Sequence, residues 1–327
     1  MSLKDSEHEE LLVSARDLEA LLASVEREPG SSEAGIFGPN SMTWKIDRES
    51  ALFLGAGRAA LLQLAHPWVT AALTQHSSLL SNPIARFHNT FRVVFTMIFG
   101  TQSQAFGSAR RLHALHTQIR GEMPERVGRY ERGAHYEANE IGALRWVFAT
   151  LVDSGLMAYE SVLPPLTADE REKYYAEAKT MAALFGIPAH ALPRDWRAFV
   201  AYNEEMLQSD SLGVNDQSRM LAKNLLYGAG SWIRPPFWYR ALTAYWMPER
   251  LREEFGLDIN ATARQSAERA LHWLPKIYNK LPGFLRFVGP YQEAQRRLSG
   301  RPINATVHWS NQFWIGQAQM PAHKESV

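Results

Sequence analysis

Apolar residues recur along this chain at intervals of three and four, and no run alternates with period two, so the pattern predicts helices throughout. Glu9 to Glu28 set Leu11, Leu12, Leu18, Leu21, Leu22 and Val25 on a charged background, which reads as a helix on the solvent side. Pro29-Gly30-Ser31-Ser32 ends it and begins a flexible connection, and a second turn-rich stretch, Gly35 to Ser41, precedes the main domain. A helical pattern then runs from Leu61 to Ser77, with Pro67 expected to kink it or to start a new helix. Asn82-Pro83 is an N-cap followed by proline at the first helical position, Gly100 ends that helix, and Thr101 or Ser103 can cap the next. Glu122 to Gly133 is a polar loop. Ile141 to Leu163, Glu170 to Leu184 and Trp196 to about Leu207 continue the series, and from Leu221 helical patterns alternate with proline breaks. The expectation is an all-α protein. An N-terminal helix and connection occupy 1–40, a single large helical domain 41–300, and a polar tail 301–327. That tail is expected to be loosely packed around the isolated rings of Trp309, Phe313 and Trp314.

The two helices between Asn82 and Gly121 concentrate the chemistry. On the first, Arg86 and Thr90 fall four apart on one face, which continues through the apolar Val93, Val94 and Met97. An arginine on such a face needs an anion or a carboxylate, and a buried salt bridge to another helix answers that need as well as a ligand does. On the second, Ala109, Leu112, Leu115, His116 and Ile119 read as one stripe, with His116 at its centre and His113 on its flank. Histidines three apart without a nearby glutamate are a weak zinc pattern. A single buried helical histidine is also the usual axial ligand of a b-type haem. His66 and His76 lie in an apolar segment, and each alone reads more simply as a core histidine satisfied by a neighbouring group.

Composition narrows the field. The chain has 327 residues, 46% of them hydrophobic and 21% charged, and a net charge of +1, an ordinary globular balance that offers no electrostatic case for nucleic acid. Cysteine is absent, which removes disulfides, thiolate ligands and cysteine nucleophiles. The acidic start, Met1 to Glu10, has no apolar core of a signal peptide. The longest apolar stretch, Ala143 to Leu163, is broken by Arg145, Asp153, Ser154 and Glu160 and reads as a buried helix, not a membrane span. A cytoplasmic location is the resulting expectation. Gly55-Ala56-Gly57-Arg58-Ala59-Ala60 matches a dinucleotide-binding string, but no strand–helix alternation follows and no acidic residue stands about twenty positions on, so close helix packing is the favoured reading.

An ordered set of motifs now stands out: Gln63-Leu64-Ala65-His66-Pro67, Gln75-His76-Ser77, Arg86-x-x-x-Thr90, Leu112-x-x-x-His116-x-x-x-Arg120-Gly121, Trp146-Val147-Phe148-Ala149-Thr150-Leu151 and Tyr174-Tyr175-Ala176-Glu177. In order and spacing the chain resembles the MpaB/latex-clearing-protein oxygenase family over roughly residues 41–300. The resemblance implies a globin-like helical core holding haem b with its iron, and use of dioxygen to cleave a carbon–carbon double bond. It implies that His116 is the proximal iron ligand and that Arg86 and Thr90 are the paired residues beside the haem. His76 or His66 then supplies a distal polar group that orients dioxygen or moves a proton. Rubber-cleaving members place a lysine immediately before the threonine as distal ligand. Here that residue is Asn89, whose amide does not replace an amine, which argues against a closed six-coordinate resting state and against polyisoprene as substrate. The expected partners are a small apolar unsaturated molecule, terpenoid-like or acyl, and dioxygen. The alternatives are a haem carrier or sensor without turnover and a non-haem metal hydrolase built on His113, His116 and a further histidine.

Overall fold

Sixteen helices and one two-stranded hairpin account for nearly all of the regular structure in the computed structural model, which describes residues 12–26, 32–76, 83–228 and 234–322. Four earlier readings lie outside those residues: the signal-peptide reading of Met1 to Glu10, the start of the first helix through Leu11, the break at Pro29 to Ser31, and the Asn82 cap. In order, the helices are α1 (Ala15–Glu26), α2 (Met42–Asp47), α3 (Ala56–Leu64), α4 (Pro67–His76), α5 (Pro83–Phe99) and α6 (Gln102–Thr117). The hairpin strands β1 (Arg120–Glu122) and β2 (His135–Glu137) follow, bracketing the polar loop. Then come α7 (Ile141–Glu160), α8 (Ala168–Leu184), α9 (Trp196–Gln208), α10 (Asp216–Tyr227), α11 (Phe237–Trp246), α12 (Glu249–Glu254), α13 (Ala261–Tyr278), α14 (Gly283–Arg286), α15 (Gly289–Leu298) and α16 (Ala305–Ile315). The all-α expectation holds.

Local sequence explains most of the boundaries. Pro67 begins a new helix instead of kinking an old one. Thr101 closes a capping box with Gln104, and Thr167 does the same with Glu170, so each satisfies two amide donors that a helix start would leave open. The glycines of the nucleotide-like string serve packing: a Cβ on Gly55 would collide with the Ser154 carbonyl of α7, and one on Gly57 with the Thr243 side chain of α11. Between those glycines and α7 lies the central staple of the fold. Arg58 donates to Asp153 Oδ2 and Ser154 Oγ, both at 2.7 Å, and to the Trp246 carbonyl at 3.1 Å. Trp146 Nε1 donates to the Leu62 carbonyl at 2.9 Å, and Gln63 donates to Thr150 Oγ1 at 3.0 Å. α7 is the one described helix long and apolar enough to cross a membrane, and its buried side chains, Trp146 and Phe148 among them, build the main core.

A second core seam runs along α5. Phe87, Phe91, Phe95 and Phe99 repeat every four residues and stack along one face, with Phe53 and Trp314 packed against that ladder. Trp314 belongs to α16, and this corrects the expectation of a loose tail. α16 is a packed helix, with Val307, Ser310, Asn311 and Ile315 buried. One carboxylate serves its inward side: Asn311 Nδ2 donates to Glu293 of α15 at 2.6 Å, and the same carboxylate accepts the Met320 amide at 2.9 Å, while Asn311 Oδ1 is buried without a hydrogen-bond partner. A helix whose buried face carries serine and asparagine shows no apolar stripe, so its hydrophobic pattern concealed it.

Candidate functional site

α5 and α6 form an antiparallel hairpin about Gly100, and the hairpin is closed at one end and open at the other. Near the turn, Phe95 to Gly100 and Ala105 to Ala109 are buried. Ser108 Oγ donates to the Val93 carbonyl at 3.5 Å, which fixes the register. Counting outward residue for residue from that bond brings Arg86 level with Leu115 and His116. There Arg86 and His116 are only partly buried, and Asn89, Thr90 and Leu115 are exposed.

The charges at this open end act on one another. The His116 imidazole is pushed down to about 4, first by burial and then by the neighbouring charges of His113 and Arg86, while a hydrogen bond with the Asn139 side chain works the other way. At neutral pH the ring is therefore uncharged and keeps a lone pair for a ligand. The Arg86 guanidinium is itself pushed down to about 10 by burial. Asn139 is buried and also donates from Nδ2 to the His113 carbonyl at 3.3 Å and to Thr117 Oγ1 at 3.1 Å, so it ties the last turn of α6 to the hairpin exit. Sequence reasoning gave Asn139 no role. Its signal, a lone asparagine in a polar stretch, is indistinguishable from a turn residue until the tertiary contact forms.

Arg86 and His116 come together as expected, and the other site residues fall around or away from them. Thr90 lies one turn along α5 from Arg86, on the solvent side. His76 ends α4 and donates from Nε2 to the Arg120 carbonyl at 2.9 Å, four residues beyond His116, so it stands at the rim. His113 donates from Nε2 to the Val13 carbonyl at 2.8 Å, which makes it a tether for the segment before α1. His66 is elsewhere, at the opposite end of α4 from His76, roughly 15 Å along the helix at 1.5 Å per residue. It is buried against Tyr130 and Trp68, with the Tyr130 hydroxyl 3.2 Å from Nε2. Burial, helped by Arg129, pushes it down to about 3. The inward stripe of α6 also needs correction. Ala105, Ala109, Leu112 and His116 point inward, whereas Leu115 lies about 100° away on the helix wheel and is 56% exposed. Ile119 lies past the helix end and packs in the small cluster of Ala71, Met123, Val127 and Tyr136.

Among the described residues, no three histidine or acidic side chains gather into a cluster that could hold a bare metal ion. The family comparison supplies the remaining fact. Residues 44–276 match the family model described as ER-bound oxygenase mpaB/B'/Rubber oxygenase, catalytic domain. The chain belongs to the mpaB/rubber oxygenase family. The match runs from Trp44 in α2 to Lys276 in α13 and so contains Arg86, Thr90, His116 and Asn139. No curated protein and no solved structure matches the chain. An oxygenase-type function follows from the family.

Proposed function

We propose that the chain is a haem b-dependent oxygenase that cleaves or oxidises a carbon–carbon double bond of a small apolar molecule, terpenoid-like or acyl, with dioxygen. The observation that carries this reading is the pairing of a neutral, partly buried His116 with the partly buried cation Arg86 at the open end of the α5–α6 hairpin, inside an oxygenase domain. These residues fit a haem. The group would need an uncharged imidazole to hold its iron and a cation for its propionates, and a single protein histidine can serve because the macrocycle brings nitrogen ligands of its own.

In this reading His116 would hold the haem through its imidazole. Asn139 holds the imidazole in one orientation, the role that a hydrogen-bonded partner plays behind a metal-binding histidine. Arg86 binds a propionate with charge-assisted hydrogen bonds, and the Thr90 hydroxyl extends the polar edge. The haem iron, when bound, supplies the dioxygen chemistry. The chain's own contribution would be to place an apolar substrate beside it and to offer His76 at the rim as the group that holds or moves a proton.

One observation favours a second reading. Asn89 stands where the rubber-cleaving relatives are expected to have a lysine, and its side-chain oxygen already accepts from Arg92 Nη1 at 3.1 Å. A carrier or sensor would need no activated distal side. A spectrum and a gas electrode separate the possibilities. Protein expressed with haem precursor should show a Soret band and consume dioxygen with unsaturated terpenoids or fatty acyl compounds. A band without uptake over a broad panel selects the carrier, and the absence of any band removes both.

A further inference from the structure

The C-terminal part of the chain wears large apolar side chains on its outside. Trp273 and Ile277, one turn apart on α13, are 56% and 54% exposed. Phe284 and Leu285 on α14 are 48% and 44% exposed. Trp309 and Phe313, one turn apart on α16, stack with ring centroids 6.4 Å apart yet remain 61% and 55% exposed. Phe284 also rims a cleft of about 540 Å³, floored by Phe287, Tyr291 and Val307, whose far wall includes Thr306. Thr306, Trp309 and Phe313 are spaced three and four apart and share one face of α16, so the stacked rings continue outward from that cleft. Large rings each bury roughly 150–250 Å² when covered, so the four rings among these six side chains, at half exposure, leave on the order of 400 Å² of apolar surface open, to which Ile277 and Leu285 add. Monomeric soluble proteins rarely leave a contiguous patch of that size without a use for it.

Charge says what covers it. From Arg269 to Ala322 the chain has seven basic residues, although its overall net charge is +1. Arg286 and Arg297 are paired with Glu49 at 2.7 Å and Glu33 at 3.9 Å, which leaves five against one carboxylate in the stretch. That carboxylate, Glu293, is buried and occupied by Asn311 and the Met320 amide. Lys276 and Lys280 are exposed beside the apolar residues of α13, and the Lys276 ammonium lies 4.6 Å from the Trp273 ring centroid. A second copy of this face is a poor partner, because a two-fold contact would set these lysines against their own images, and Glu268, two turns back on α13, is the one acid of that helix. An anionic lipid surface answers both properties, since the interfacial zone of a bilayer takes Trp, Phe and Leu while its headgroups attract lysine and arginine.

We propose that the face formed by α13, α14 and α16 docks this protein peripherally on an anionic phospholipid bilayer. Such docking would bring an apolar substrate to the protein from the phase in which it dissolves, but the assignment stands on this face alone and is independent of haem. The test is co-sedimentation of the full chain with large vesicles of phosphatidylcholine, with and without phosphatidylglycerol. Binding is expected to the anionic vesicles and to weaken with salt. Trp309→Ser with Phe313→Ser should lower it about tenfold or more, and Lys276→Glu with Lys280→Glu should remove the preference for the anionic vesicles. Helix content and haem absorbance serve as controls for folding, because these side chains lie on the outside. Wild-type protein that stays in the supernatant overturns the proposal, as does equal binding by the serine variant. A concentration-dependent dimer that the serine substitutions dissociate would assign the face to self-association and overturn it as well.

Discussion

Two imidazoles, the buried His66 and the partly buried His116, have the same electrical state and different surroundings. Burial holds both neutral, His66 down to about 3 and His116 down to about 4. His66 is walled in by Tyr130 and Trp68, and its Nδ1 and the Trp68 Nε1 are buried without hydrogen-bond partners. His116 sits at an open hairpin end between Arg86, His113 and Asn139. A neutral buried histidine is therefore not by itself a site. What separates the two is a neighbouring cation, a second residue that orients the ring, and a route to solvent through exposed Asn89, Thr90 and Leu115.

The comparison breaks most sharply in haem content. His116→Ala should lower haem affinity by more than the roughly 10–100-fold typical of losing an outer partner of a metal-binding histidine, measured as Soret absorbance per chain after dialysis against apomyoglobin. Arg86→Leu removes only a propionate contact and should cost about tenfold, close to one charge-assisted hydrogen bond. His66→Phe should leave the band unchanged. A His66 variant that lost haem while the His116 variant kept it would reverse the assignment.

Acid titration sharpens the same contrast in stability. Both imidazoles have folded pKa values below the usual 6.5, so the unfolded chain binds more protons than the folded one as pH falls below 6.5. Their contribution is fully present above pH 6.5 and is lost on acidification, down to about 4 for His116 and about 3 for His66. Each fully buried imidazole costs about 1.4 kcal/mol per pH unit in that window. Urea midpoints of the haem-free protein between pH 6.5 and 4 should fall steeply for wild type and less steeply for His66→Phe. Equal slopes would mean that His66 reaches solvent.

How much of this was legible in the sequence depended on the distance over which each feature is decided. The caps at Thr101 and Thr167 need a partner three residues away and could be read directly. The meeting of Arg86 with His116 came from the family resemblance, since spacing alone left a salt bridge open for Arg86 and a weak metal pair for His113 and His116. The isolation of His66 was not readable, since its wall is Tyr130, 64 residues on. Leu115 misled because a leucine beside a buried histidine fits a stripe only until the helix wheel is turned by one residue. The burial of α16 was hidden for a different reason: its inward face mixes Ser310 and Asn311 with Val307 and Ile315, and Glu293 on α15 accepts from the Asn311 amide.

The smallest of the expected effects concerns a partly buried group with the opposite sign. Asp47, at the end of α2, is pushed up to about 8, first by burial and then by the Glu177 carboxylate. Glu177 is already committed, accepting the Met42 and Thr43 amides at 3.0 and 2.7 Å and the Thr43 hydroxyl at 2.8 Å. Asp47 must therefore carry the proton. Here the folded state binds more protons than the unfolded one, so stability is complete below about pH 4 and declines as pH rises from there through 8. The decline from Asp47 and the gain as the imidazoles lose their protons oppose each other between pH 4 and 6.5, which places the optimum for the wild type on the acid side of 8. Asp47→Asn keeps the protonated shape without the charge and should raise stability at pH 8 by about 1 kcal/mol, discounted for partial exposure, with little change at pH 5. Thermal melts at the two values decide it, and a variant that loses stability equally at both would show that Asp47 is needed as a carboxyl group and not merely tolerated as one.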